Sequence, residues 1–236
     1  MAPDRKAAAR AAIAGWLDPT RPVWVRLNAS DTAWFAEDLA LALKPGLKGL
    51  MLPKAEELPA SMAKLCTEHD LAILPIIETA VGMRAAERLV ATPSVVRLAF
   101  GALDFQVDMN ITGDDDALLA FRSHLVLVSR LAGLPAPIDG VTPSIADDEM
   151  LRSDTLRSRR LGFGAKLCIH PQQVAEVHKV FSPTSDERAW AQRVMKAMED
   201  SAGAAVALDG KMIDRPVWRK AAHIADAPTA DRRLRP

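Results

Sequence analysis

The chain has 236 residues and carries 30 Lys and Arg against 30 Asp and Glu, so its formal net charge is zero. That length fits one large domain or a domain with an appendage, and 49% hydrophobic with 25% charged residues excludes a disordered chain. The zero balance argues against a dedicated nucleic-acid binder, which would carry a basic excess. Two cysteines, Cys66 and Cys168, make no disulfide framework and stand in no metal-ligand spacing. The start, MAPDRKAAARAA, is charged where a signal peptide is apolar, and no run approaches the roughly 18 apolar residues of a membrane span. A cytoplasmic protein without membrane or nucleic-acid partners is expected.

Short β-rich runs then alternate with helical patterns. A helix is predicted over residues 3–16, docking through Ala8, Ala12 and Trp16, and a strand over 22–28. Ser30 is placed to cap a helix over 31–43. Strands follow at 49–52, 71–77, 95–100, up to 138, and 163–169. Helices near 59–68, 82–90, 114–133 and 147–162 separate them, and another opens at Pro171. The helix after Asp114 is the clearest, with acids at its start and Leu118, Phe121, Leu125 and Val128 at spacings of three and four. Repeated strand–helix units imply parallel strands joined by crossover helices. About six strands are counted where a closed (β/α)8 barrel has eight. An open doubly wound sheet stays open on pattern alone, although no Gly-x-Gly-x-x-Gly follows any strand.

After Phe181 the pattern changes. Thr184-Ser-Asp-Glu187 is a capping box opening a helix with Trp190, Val194 and Met198 on one face. A short extended piece at 206–208, a turn at Asp209-Gly210 and a final helix after Pro216 follow. The expected division is a partial barrel, residues 1–182, and a C-terminal helical arm, 183–236, whose tail from 228 is expected to be disordered.

In parallel α/β folds the active site lies at the carboxyl ends of the strands. That rule selects Arg26, Glu78, Asp104, Asp139 and His170 as residues converging on one face. Glu78 and Asp104 lie one βα unit apart, and two hard carboxylate oxygens suit Mg²⁺, which leaves water positions for substrate. The competing structural role is a helix cap for Glu78 and a turn for Asp104. Arg26 can fork onto a substrate carboxylate or pair with a nearby acid. His170 fits a hydrogen-bonded loop histidine better than an acid–base group, and the Asp114–Asp116 run fits a solvated helix start.

Seven segments in register carry a resemblance: Val25-Arg-Leu-Asn28, Leu52-Pro-Lys54, Ile77-Glu-Thr-Ala80 with Gly82, Gly101-Ala-Leu-Asp104, Ile138-Asp-Gly140, Gly164-Ala-Lys-Leu-Cys-Ile-His-Pro171 and Leu208-Asp-Gly-Lys-Met-Ile-Asp-Arg-Pro216. Together they resemble the citrate lyase β-subunit family of aldolases, with its malyl-CoA and citramalyl-CoA lyases. The resemblance implies a TIM-type barrel and Mg²⁺-dependent carbon–carbon bond cleavage or formation on organic-acid CoA or acyl-carrier thioesters. It places the metal ligands on Glu78 and Asp104, and the substrate on Arg26 and the backbone of Gly101, Ala102 and Leu103. Leu103 stands where the family often has a polar residue. The resemblance also makes Asp214 an acid–base group that lyases of the family supply from a neighbouring subunit; spacing alone makes it a helix cap.

The family has two further strands before a segment like Ala2-Pro-Asp-Arg-Lys6, so the barrel is expected to be N-terminally incomplete. Its bare parallel edges are then expected to be covered by the C-terminal arm or by another protomer, since such edges invite association; a homo-oligomer, trimer or hexamer, is expected. Two other functions are compatible with the sequence: an inactive or regulatory truncated homologue serving as an assembly or binding subunit, and a pyruvate-type Mg²⁺-dependent aldolase without CoA.

Overall fold

The computed structural model describes residues 2–201 and 204–227. They group into two compact units, Met1–Pro143 with Arg157–Ile169 and Ser144–Leu156 with His170–Pro236.

The first unit holds six parallel strands: β1 (Val23–Arg26), β2 (Leu47–Leu52), β3 (Ala72–Ile77), β4 (Ala99–Phe100), β5 (Ile138–Asp139) and β6 (Ala165–Lys166). Their spatial order is their chain order, so each crossover returns one strand over and the sheet curls as in a TIM-type barrel. Among the described residues β1 pairs only with β2, and β6 only with β5. Helix α1 (Lys6–Trp16) precedes β1; the crossovers contain α2 (Phe35–Leu39), α3 (Ala60–Glu68), α4 (Ala80–Val90), α5 (Ala102–Met109) and α6 (Asp115–Leu131), and α7 (Asp148–Leu161), whose first residues belong to the second unit, precedes β6. Residues 73–77 of β3 are all buried, as a parallel strand covered on both faces requires. The core runs through Leu50, Leu52, Ile73, Ile77 and Phe100, with Phe105 edge-on to Phe100 and Phe121 at 5.3 and 4.8 Å.

Several elements depart from the sequence-based expectation. The strand foreseen over 95–100 shrinks to Ala99–Phe100 plus an isolated bridge from Val95 to Ile73. Pro75 in the facing stretch of β3 has no N–H to give, which interrupts the ladder there. The helix foreseen over 31–43 is a short α2 continued by a 3₁₀ turn, Ala40–Leu43, and its N-cap is Trp34 with no side-chain bond, so Ser30 does not cap it. The first helix docks through Ile13, Ala14 and Leu17; Trp16 is 69% exposed, and Ala8 and Ala12 face solvent. Docking is reinforced by Arg10, whose guanidinium meets the buried Asp38 carboxylate at 2.9 Å. Helix α5 was not foreseen.

A polar network is buried around Asp139 in this unit. Arg122, 1% exposed, projects from the apolar face of α6 and donates through Nε to both oxygens of Asp139 at 3.0 and 3.2 Å. Asp139 also accepts from the Ser158 hydroxyl and from the Gly140 N–H. Asp114 sits 2.6 Å from Arg122 and 2.7 Å from Arg157, so this acid is engaged in ion pairs and is not merely a solvated helix start.

The second unit has its own core. Helices α8 (Gln172–Phe181), α9 (Ser185–Asp200) and α10 (Arg215–Asp226) accompany an antiparallel hairpin of β7 (Val206–Leu208) and β8 (Lys211–Ile213). Ala191, Val194, Met198, Ile213, Ala221 and Ile224 are buried together. The capping box at Thr184 and Glu187 forms in both directions. Asp209 and Gly210 take φ of 51° and 72°, the two left-handed residues of a tight hairpin turn. The expectation for the tail at 228–236 lies outside the described residues.

Because Arg122 neutralises a carboxylate that is fully buried, Arg122→Ala should destabilise the first unit by about 3–5 kcal/mol in urea unfolding. A loss under about 1 kcal/mol would mean that the pair is dispensable.

Candidate metal centre

Strand β3 is apolar throughout and ends at Ile77, so the next residue, Glu78, emerges at the carboxyl edge of the sheet while remaining 6% exposed. Thr79 then caps α4, its hydroxyl accepting from the Gly82 N–H at 3.0 Å. Glu78 is thus used by neither the strand nor the cap. Its Oε2 accepts the Lys54 N–H at 3.0 Å. That N–H is aimed by a left-handed backbone at Lys54, φ 46°, just after β2.

Asp104 follows the next strand of the same unit, and its charge acts on Glu78. Strand β4 ends at Phe100, Gly101 is the N-cap of α5, and Asp104 lies in the first helical turn with its side chain exposed. The chain can turn here because Gly101 has no side chain: a Cβ would sit 2.3 Å from Glu78 Cγ and 2.8 Å from its Oε1. Arg26 closes β1 in register with Met51 of β2 and is exposed. It lines a cleft of about 360 Å³ together with Lys6, Arg10, Asn28 and Asp38.

The electrostatics link these groups. Burial pushes the Glu78 carboxyl above the usual carboxylate range, the Lys54 N–H opposes that rise, and the negative charge of Asp104 adds to it. The positive charges of Arg26 and Lys54 pull it back. Glu78, Asp104, Arg26 and Lys54 therefore share one field. A divalent cation would suit this set: the charge of Asp104 acts against that of Glu78, whose side chain fills the place of a Cβ at Gly101, and both acids offer only oxygen. Among the described residues no group of three or more His, Cys, Asp or Glu could hold a metal ion, so a two-carboxylate site would leave the other positions to water and substrate.

The other candidates have local partners of their own or adjoin Asp104. Asp139 does not converge on this group; Arg122 and Ser158 occupy it inside the wall. His170 belongs to the second unit, where its Nδ1 accepts from the Gln172 N–H at 3.3 Å ahead of α8. Asp214, also in the second unit, is the N-cap of α10 and accepts the Val217 N–H at 3.3 Å. Ala102 is buried and Leu103 is 43% exposed at the start of α5. Sequence reasoning missed the role of the Lys54 N–H, which depends on a backbone angle that a lysine code does not reveal.

Comparison with known proteins gives a consistent result. Residues 1–171 match the HpcH/HpaI aldolase/citrate lyase family. A citrate lyase subunit beta-like protein of Deinococcus radiodurans is 36% identical over 86% of this chain and 74% of its own. A (3S)-malyl-CoA thioesterase of Cereibacter sphaeroides is 31% identical over 80% of this chain and 68% of its own. The crystal structure of CitE from Mycobacterium tuberculosis in complex with magnesium, acetoacetate and coenzyme A superposes with a TM-score of 0.81 at 32% identity, covering 95% of this chain and 84% of that one.

Two outcomes follow from the site geometry. Gly101→Ala forces its methyl into the Glu78 side chain and should weaken Mg²⁺ binding, with about 1–3 kcal/mol lost from stability; unchanged calorimetric titration would show that the close approach is unimportant. In EDTA, Glu78→Gln should melt above the parent protein at pH 7. Below the ordinary carboxyl value of 4.5 both states are protonated and the burial penalty is absent. As pH rises past 4.5 the unfolded chain ionises first and the parent loses stability, so the gap between the two proteins should close again at pH 4.

Proposed function

The chain belongs to the HpcH/HpaI aldolase/citrate lyase family, and from that membership we propose that it is a Mg²⁺-dependent carbon–carbon lyase acting on citryl-, malyl- or citramalyl-type thioesters. The observation that carries the reading is the placement of the buried Glu78 at the end of β3, beside the start of the helix that carries Asp104; burial raises its carboxyl, the Lys54 N–H opposes that, and the charge of Asp104 adds to the rise. A Mg²⁺ ion on Glu78 and Asp104 supplies Lewis-acid polarisation of the reacting carbonyl. Arg26 grips the carboxylate of the organic acid with its planar fork and fixes its orientation. The backbone of Gly101, Ala102 and Leu103 borders the substrate. Asp214, contributed by a neighbouring copy in a homo-oligomer, exchanges a proton with the thioester α-carbon: it protonates that carbon as the C–C bond breaks and removes the proton as the bond forms. A cytoplasmic location belongs to this proposal; among the described residues no helix is long and apolar enough to cross a membrane.

The malyl-CoA thioesterase relative favours a second reading, hydrolysis of the thioester itself. The two are separated by products: C–C cleavage of malyl-CoA releases glyoxylate and acetyl-CoA, whereas hydrolysis releases malate and a free thiol. The test is a coupled assay against citramalyl-, malyl- and citryl-thioesters with Mg²⁺ or EDTA. Glu78→Ala and Asp104→Ala should each abolish metal-dependent turnover. Arg26→Lys should lower kcat/KM by about 10- to 100-fold, the worth of a lost charge-assisted hydrogen bond. Near-normal activity in Arg26→Lys would make the arginine structural.

A further inference from the structure

We propose that Asp108 is a positioning residue for the metal site: its carboxylate, bonded to the Ala80 N–H, ties the helix that starts beside Glu78 to the helix that carries Asp104. The proposal rests on the two-carboxylate reading above. Asp108 lies four residues beyond Asp104, one turn further along the same face of α5. Its Oδ2 accepts the Ala80 N–H at 2.7 Å. Ala80 is the first residue of α4, two positions after Glu78. The Gly82 N–H in that turn is served locally by the Thr79 hydroxyl, whereas the Ala80 N–H is served from the neighbouring crossover, 28 residues away.

This bond spans the two carriers at the point where they need restraint. Glu78 and Asp104 repel before a cation arrives, and that repulsion acts to spread the starts of α4 and α5. At the strand level the two segments are joined by the Gly101 N–H on the Ile77 carbonyl at 2.9 Å. Asp108 adds a second, exposed tie, four residues beyond Asp104 on α5. Its negative charge also meets the positive end of the α4 dipole, which strengthens the contact. Preset spacing between the ligands lowers the reorganisation that metal binding demands.

The test is metal affinity of the full chain, read without turnover: Mn²⁺ counted by electron paramagnetic resonance and displaced by Mg²⁺, with circular dichroism to confirm folding. Asp108→Ala should bind about tenfold more weakly. Asp108→Asn keeps an acceptor oxygen and should stay near the parent value. Ala80→Pro removes the donor at a first-turn position that suits proline, after an extended Thr79, and should reproduce the loss. Adding Asp108→Ala to Ala80→Pro should then cost nothing more. Affinity unchanged in both Asp108→Ala and Ala80→Pro overturns the tie. So does Asp108→Asn falling as far as Asp108→Ala, which would assign the effect to charge alone. A parent protein that binds no metal removes the two-carboxylate reading as well, whereas a parent that binds and an Asp108→Ala that binds equally removes the tie only. Should Asp108→Ala fail to fold, Ala80→Pro against the parent decides by itself.

Discussion

A carboxylate placed at the end of a wholly apolar strand, where water is scarce, is the constraint around which the first unit is arranged. Ionised Glu78 gains little hydration there, so each neighbour is fitted to it. The Lys54 backbone turns left-handed and presents its N–H. Position 101 carries no side chain, because any methyl would occupy the carboxylate's own volume. The parallel register then sets the start of α5 beside it, since Ile77 pairs with Phe100 and both strands end together.

Two of the buried acids of this unit, Asp139 and Glu78, contrast. Asp139 receives a guanidinium, a hydroxyl and an N–H, which together neutralise it and leave no room for a ligand. Glu78, nearly as buried, accepts one backbone N–H among the described residues and feels a second negative charge. An acid whose partners are complete is part of the scaffold; an acid left short of them, beside another acid, is suited to hold something positive.

The parallel strand–helix order is legible in the sequence, as are the strand ends. Strand ends follow from periodicity, so Arg26, Glu78 and Asp104 were accessible to the strand-end rule without the family resemblance. The same rule promoted Asp139, because it does not know which side of the wall a side chain takes. Arg122 held the missing information: an arginine between Leu118 and Leu125 on the apolar face of a helix needs a buried acid, and Asp139 was available. Helix α5 was hidden by its brevity and by the glycine before it. Ser30 looked like a cap because propensity ignores where the chain actually turns, which is at Trp34. The roles of the Lys54 N–H and the Ala80 N–H are backbone properties and leave no mark on composition.

The separation of apolar cores has a thermodynamic corollary. The cluster built on Ile73, Phe100 and Phe105 and the cluster built on Val194, Ile213 and Ile224 share no residue. Packing can be lost in either cluster, and whether heat absorption by this chain follows a single cooperative transition depends on how the two are coupled. A midpoint obtained from one spectroscopic signal then belongs to whichever cluster that signal watches. Trp24 lies against the sheet of the first unit and Trp190 against the core of the second, so indole emission blends the two. Calorimetry, which weighs both by their enthalpies, would resolve populations that fluorescence merges.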